Sequence, residues 1–164
     1  MRPKAPITIV ETVVKVNDER KVQMAERIVA AAHGSVQGKR IGMLGLTFKP
    51  NTDDMRDSAS LDIIPALQKL GASVRAFDPE GMHEAEKLLS DVAYAKDAYD
   101  AIQGADVLVI LTEWNEFRSL DWERVRQQMP GRIVVDLRNI YDPALVSREG
   151  FAYHSIGRAP ALPA

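Results

Sequence analysis

Lys49 and Arg56 stand in a run of small polar and charged residues, Gly45-Leu46-Thr47-Phe48-Lys49-Pro50-Asn51-Thr52-Asp53-Asp54-Met55-Arg56-Asp57-Ser58. The run follows Ile41-Gly42-Met43-Leu44, which has the pattern of a buried strand, and precedes an amphipathic stretch with the pattern of a helix. Between a strand's end and a helix's start an α/β fold binds anions, because unpaired backbone N–H groups and the helix dipole both favour negative charge there. Two cations, the Thr52 hydroxyl and several loop N–H groups suit a diphosphate carrying about two negative charges. The alternative is a solvated Lys49 and an Arg56 paired with Asp53, Asp54 or Asp57.

Other strand ends carry further candidates. Asp136-Leu137-Arg138-Asn139-Ile140-Tyr141 places Arg138 where it can meet a phosphate or ribose, or else pair with Asp136 or Asp142. Trp114 and Phe117 can stack a base or meet a partner chain, or cap a local core. Gly42-Met43-Leu44-Gly45 resembles the start of a dinucleotide-binding fingerprint, but Phe48 occupies the position of its third glycine. Asp78, the acidic residue such a fingerprint would use, reads equally well as part of the turn Asp78-Pro79-Glu80-Gly81. His33, His83 and His154 lie on separate elements without metal-ligand spacing, and no catalytic residue or metal site is assigned. No serine has a nucleophile-elbow context.

The elements that must position these residues alternate from Gly38 onward. Strands are predicted over 40–46, 73–77, 92–95, 106–112, 132–137 and 151–156, and helices near 59–70, 82–89, 97–103, 121–129 and 143–149. Near-continuous apolar runs such as Val107-Leu108-Val109-Ile110-Leu111 predict a parallel sheet covered on both faces. The expected fold class is therefore α/β, a doubly wound, mainly parallel sheet of about five to six strands. Before it, from Pro6 to Gly34, apolar residues recur at helical spacing and predict a helix of about 28 residues, or about 42 Å, with an apolar face too long for this chain to cover. Two shorter helices meeting at Asn17-Asp18 are the alternative, and the valines before that pair leave a strand open. The last five residues, Pro160 to Ala164, are expected to fray.

The 164 residues, 46% hydrophobic and 27% charged, suit one domain with a real core and one appended element. A net charge of -2, from 21 basic and 23 acidic residues without long blocks, argues against nucleic acid or a membrane surface as partner. The absence of cysteine removes disulfides and thiolate nucleophiles and suits a reducing cytosol. Without a signal-like start or a span of roughly 20 apolar residues, a cytoplasmic location is expected.

The loop motif together with Gly71-Ala72, Phe77-Asp78-Pro79, Ala105-Asp106, Thr112-Glu113-Trp114, Asp136-Leu137-Arg138-Asn139 and Tyr153 to Gly157 resembles the C-terminal, UDP-binding domain of the UDP-glucose 6-dehydrogenases, within the UDP-glucose/GDP-mannose dehydrogenase family. The resemblance implies a Rossmann-like domain over 35–164 and, over 1–34, the end of that family's central connecting and dimerisation helix, including Val16-Asn17-Asp18. It implies oxidation of UDP-glucose to UDP-glucuronate with two NAD, through a cysteine-bound thiohemiacetal and thioester, as a step toward polysaccharides. The cysteine and the NAD-binding domain are not in this chain, so the resemblance implies a fragment or half-enzyme, inactive alone, whose partners are the missing N-terminal and central domains and a second copy in a homodimer. Residue by residue, it implies that Phe48, Lys49 and Arg138 bind the UDP-sugar, with Lys49 near the phosphates. Arg56 would reach NAD held by the other domain, and Thr52 and Asp54 would organise the loop. Leu137 stands where that family has a glycine before the arginine. The alternatives are a domain of a related GDP-mannose or UDP-N-acetylhexosamine dehydrogenase, or a non-enzymatic nucleotide-binding or oligomerisation module.

Overall fold

The computed structural model describes residues 8–163. It contains one six-stranded sheet: β1 (Arg40–Leu44), β2 (Ser73–Phe77), β3 (Val92–Tyr94), β4 (Val107–Ile110), β5 (Ile133–Asp136) and β6 (Ala152–Ser155). All neighbouring pairs are parallel, in the order β3-β2-β1-β4-β5-β6. Every residue of β4 is buried, as its uninterrupted apolar sequence predicts for a central strand covered on both faces. The chain moves outward from β1 to β3, then returns across the sheet to β4. The carboxyl ends of β1 and β4 therefore flank the switch point at which doubly wound sheets bind ligands.

The helices are α1 (Thr8–Ala31), α2 (Ser60–Lys69), α3 (Met82–Glu86), α4 (Ala98–Ile102), α5 (Trp122–Gln128) and α6 (Pro143–Arg148). Aspartate side chains start three of them: Asp97, Asp121 and Asp142 accept backbone N–H groups at 2.7, 3.1 and 2.9 Å, satisfying donors that a first helical turn leaves unpaired. One apolar cluster joins α1 and α2 to one face of the sheet through Ile28, Met43, Ile64 and Val109. The other joins α4, α5 and α6 to the opposite face through Leu44, Ile102, Val125, Val146 and Phe151. Trp114 and Phe117 belong to this second core, with Phe117 fully buried in a 3-10 turn, Asn115–Ser119, that the periodicity does not reveal. They are thus not surfaces for stacking.

Helix α1 runs unbroken through Asn17 and Asp18, so neither the two-helix nor the strand alternative is realised. Its last turns carry buried Ala25, Ile28 and Ala31, whereas Ile9, Val10, Val13, Val14 and Val16 are exposed. His33 and Gly34, with φ of 63° and 84°, turn the chain away after it. The expected start at Pro6 lies outside the described residues. At the other end, Ala161 exchanges two backbone hydrogen bonds with Tyr153, at 2.8 and 2.9 Å, so the tail is held against β6 rather than frayed from Pro160. Among the described residues no helix is long and apolar enough to cross a membrane.

Candidate functional site

Two buried carboxylates organise the strand ends. Asp78, 1% exposed at the end of β2, accepts the Leu46 and Thr47 N–H groups at 2.7 and 3.0 Å and the Thr47 hydroxyl at 3.0 Å. It also accepts the Trp114 indole N–H at 3.2 Å and the Glu80 and Gly81 N–H groups at 3.1 and 2.8 Å. Six donors on a desolvated carboxylate leave no capacity for a ribose. Gly45, with φ of 93°, sits so close to Thr112 that a Cβ would lie 2.5 Å from it. With Phe48 at the third-glycine position as well, this sheet does not fit the pyrophosphate-and-ribose mode of dinucleotide binding, and the partial fingerprint serves packing.

Asp136, fully buried at the end of β5, plays the matching part for the second loop. It accepts the N–H groups of Arg138 at 2.9 Å, Ile140 at 2.8 Å and Tyr141 at 3.3 Å, and the Tyr153 hydroxyl at 2.6 Å. Burial pushes the Tyr141 phenol up to about 12, and burial and the Asp136 bond raise that of Tyr153 further, so both remain donors throughout the physiological range. Asn139 (φ 56°) turns the loop and exchanges side-chain bonds of 3.0 and 2.8 Å with the Ile156 backbone. The Arg138 side chain pairs with Glu113, not with Asp136 or Asp142. Partial burial raises the Glu113 carboxyl, but the bond and charge of Arg138 outweigh it and hold it below its ordinary value.

The loop after β1 is fastened at its base and crossed by bonds of its own. Ser58 and Ser60 hydroxyls both donate to the Leu46 carbonyl, at 2.5 and 2.6 Å, closing the loop at its base. Asn51 and Asp57, with φ of 62° and 59°, make its two sharp bends, a conformation that these residue types tolerate. Thr52 Oγ1 accepts the Asp54 N–H at 3.1 Å, and the Asp54 carbonyl accepts the Phe48 N–H at 2.9 Å. Asp54 grips Arg56 with two side-chain bonds of 3.0 and 2.8 Å and accepts its N–H at 2.9 Å. These bonds hold the Asp54 carboxyl down at about 2. Lys49 and Phe48 are exposed, Phe48 by 53%.

A cleft of about 690 Å³ opens between α1 and the carboxyl ends of β1, β4 and β5. Of the residues singled out in the sequence, it brings together Phe48 and Arg138, while Lys49, Thr52, Asp54 and Arg56 lie outside its lining. Leu137 lines it where the resemblance leads one to look for a glycine. Helix α1 contributes Asn17, Arg20 and Lys21, which helical periodicity did not single out because it marks only apolar faces. The one available signal was Asn17, a polar residue poorly suited to a helix interior. Among the described residues lining the cleft, Asp57 is the acidic one, against the three cations Arg20, Lys21 and Arg138. The arrangement suits an anion carried on a half-apolar molecule. Burial lowers the affinity of His154 for a proton, with His33 adding repulsion, and no cluster of three metal-ligating groups occurs among the described residues.

Comparison with known proteins identifies the family. The model of the UDP binding domain of the UDP-glucose/GDP-mannose dehydrogenase family matches residues 42–143. The chain is 53% identical over 153 residues to a UDP-glucose 6-dehydrogenase of Rhizobium meliloti, covering 93% of this chain and 35% of that protein. It is 39% identical to the UDP-glucose 6-dehydrogenase TuaD of Bacillus subtilis, with 96% and 34% covered. It thus spans about a third of the length of the curated relatives it matches. Among solved structures, a UDP-glucose dehydrogenase from Pyrobaculum islandicum superposes with a TM-score of 0.75 at 30% identity, over 91% of this chain and 32% of the other. The chain belongs to the UDP-glucose/GDP-mannose dehydrogenase family, of which it carries the UDP binding domain.

Proposed function

We propose that this chain supplies the substrate-binding part of an NAD-dependent UDP-glucose 6-dehydrogenase, which oxidises UDP-glucose to UDP-glucuronate. The observation that carries the reading is the cleft at the β1–β4 switch point, lined by three cations against Asp57 and by the apolar Phe48, Leu137 and Leu111. Arg138 is pre-positioned there by Asp136 and takes a phosphate bidentately in exchange for, or alongside, Glu113. Phe48 covers the nucleoside or sugar, and Lys49, at the exposed loop tip, closes over the phosphates. Thr52 and Asp54 hold the shape of that loop.

NAD, which would supply the hydride acceptor, belongs on a separate cofactor-binding domain, because the dinucleotide position of this sheet is closed by Asp78. Arg56, 89% exposed in its side chain and outside the cleft lining, is held by Asp54 at the surface, where it can reach that cofactor across an interdomain gap. The chain lacks a cysteine nucleophile, so by itself it binds without oxidising. The exposed valines of α1 suit a connecting and dimerisation helix in a cytoplasmic homodimer.

Calorimetric titration with UDP, UDP-glucose and GDP tests the reading. UDP and UDP-glucose are expected to bind with similar affinity and GDP more weakly; tighter binding of GDP would reassign the substrate. Mixing the chain with a polypeptide that carries the cofactor domain and cysteine is expected to produce NADH from UDP-glucose, whereas a purely non-enzymatic nucleotide-binding module would yield none.

A further inference from the structure

Helix α1 does more than connect. Val14, Asn17, Lys21 and Met24 line the cleft at intervals of three or four residues, so they form one stripe along the helix, with Arg20 on its border. Lys21 in this stripe pairs with Asp62 of α2 at 3.3 Å. Arg20 is different. It lines the same cleft, is exposed, and among the described residues engages in no hydrogen bond or ion pair. Arg138 on the facing wall is already neutralised by Glu113, and Lys21 by Asp62. Arg20 is thus the unneutralised cation among the cleft's three, one helical turn beyond the amide of Asn17.

Asn17 carries a local cost, because its side chain competes for backbone hydrogen bonds in a helix interior, yet α1 passes through it without a break. Its position on the cleft stripe accounts for a polar residue there better than helix formation does. Apolar packing of α1 on the core begins at Met24 and Ala25, whereas Asn17 and Arg20 are exposed and belong to neither core cluster.

We infer that α1 forms one wall of the nucleotide-sugar site, with Arg20 binding a phosphate opposite Arg138 and Asn17 donating to the same ligand. The inference rests on the reading of the cleft as a UDP-sugar site and adds to it two recognition residues outside the 42–143 segment matched by the family's domain. It also couples the ligand to the helix: a phosphate bridging Arg20 and Arg138 restrains the part of α1 that the core leaves unpacked.

The test is a titration of the full chain and of its Arg20→Gln, Arg20→Lys and Asn17→Ala variants with uridine, UDP and UDP-glucose at low and moderate salt. Arg20→Gln is expected to weaken UDP and UDP-glucose about tenfold or more, to leave uridine unchanged, and to flatten the salt dependence, since one charge-assisted contact is lost. Arg20→Lys should recover part of the affinity, and Asn17→Ala should lose less than Arg20→Gln. Hydrogen exchange supplies a readout independent of the variants: UDP is expected to slow exchange of amides 13–21 in the unaltered chain. Unaltered chain that binds UDP, with Arg20→Gln within twofold of it, overturns the Arg20 assignment alone. Failure of the unaltered chain to bind UDP removes the nucleotide-sugar reading as well. Equal loss of uridine and UDP affinity would overturn the phosphate contact, and unchanged exchange over 13–21 would overturn the coupling.

Discussion

The loops after β1 and β5 leave the same edge of the sheet, and each is fastened at its base by a buried aspartate and carries an arginine paired with a carboxylate, yet the two arginines are held in opposite ways. Arg138 has its backbone N–H fixed by Asp136, a fully buried acid that also holds Ile140, Tyr141 and Tyr153. Arg56 is held by Asp54, two residues away on the same loop, in a pair whose arginine side chain is 89% exposed. The first arginine ends up in the cleft and the second outside its lining. A buried carboxylate that gathers backbone N–H groups sets where a loop goes, because each donor it abandoned would stay unsatisfied in a low-dielectric interior. An exposed ion pair competes with water and sets only which side chains are neighbours.

The most severe way to break this contrast is Asp136→Ala. It orphans the three backbone N–H groups of Arg138, Ile140 and Tyr141, leaves the Tyr153 hydroxyl only the Tyr141 carbonyl, and is expected to lower unfolding free energy by about 3 to 5 kcal/mol, read by urea denaturation. Asp54→Ala should leave the denaturation midpoint almost unmoved. Similar midpoints for the two variants would remove the distinction between the loops.

Next in size is the effect on ligand. Arg138→Ala is expected to weaken UDP-glucose binding about tenfold to a hundredfold while leaving stability nearly intact, the loss of one bidentate charge-assisted contact. Arg56→Ala should leave UDP-glucose binding by this chain unchanged and appear only as weaker NAD use once a cofactor domain is supplied. Calorimetry separates the two, and an equal loss of UDP-glucose affinity would place both arginines in one site.

The smallest effect is a titration. Hydrogen bonds from Arg56 hold the Asp54 carboxyl at about 2 against an ordinary 3.8. Because the folded value is the lower one, the pair's contribution is complete above about pH 4 and fades as pH falls toward 2. Carboxyl NMR titration should show this depressed value and its return toward the ordinary range in Arg56→Ala. An unshifted Asp54 would mean that the pair does not persist in solution.

Much of this was legible from residues in order. The runs Val107 to Leu111 and Ile133 to Val135 are too apolar for any strand with a wet face, and they became β4 and β5. The helices expected near 97–103, 121–129 and 143–149 formed, and the structure adds that Asp97, Asp121 and Asp142 cap their starts. Less legible were the partners of charges. Glu113 lies 25 residues before Arg138, so no local pattern joined them. Asp78 offered a ribose ligand or a turn, and it became the buried knot that fastens the β1 loop and the Trp114 indole. Asn17 and Arg20 gave no apolar signal, and their place in the cleft follows from how α1 lies on the sheet.

Local chemistry determined the alternation of strand and helix, the presence of a cation-bearing loop at a strand's carboxyl end, and the lack of a thiol nucleophile. These are decided by side-chain periodicity, by capping and by composition, each of which acts within a few residues. Tertiary structure decided that Arg138 and Phe48 share a cleft with α1 while Lys49 and Arg56 lie outside it. That outcome depends on β4 returning to pair with β1 across more than sixty intervening residues, Ile41 against Val107, and on two carboxylates becoming buried by the packing around them. Burial is a property of the assembled fold, and it turns an aspartate from a surface charge into the anchor of a loop.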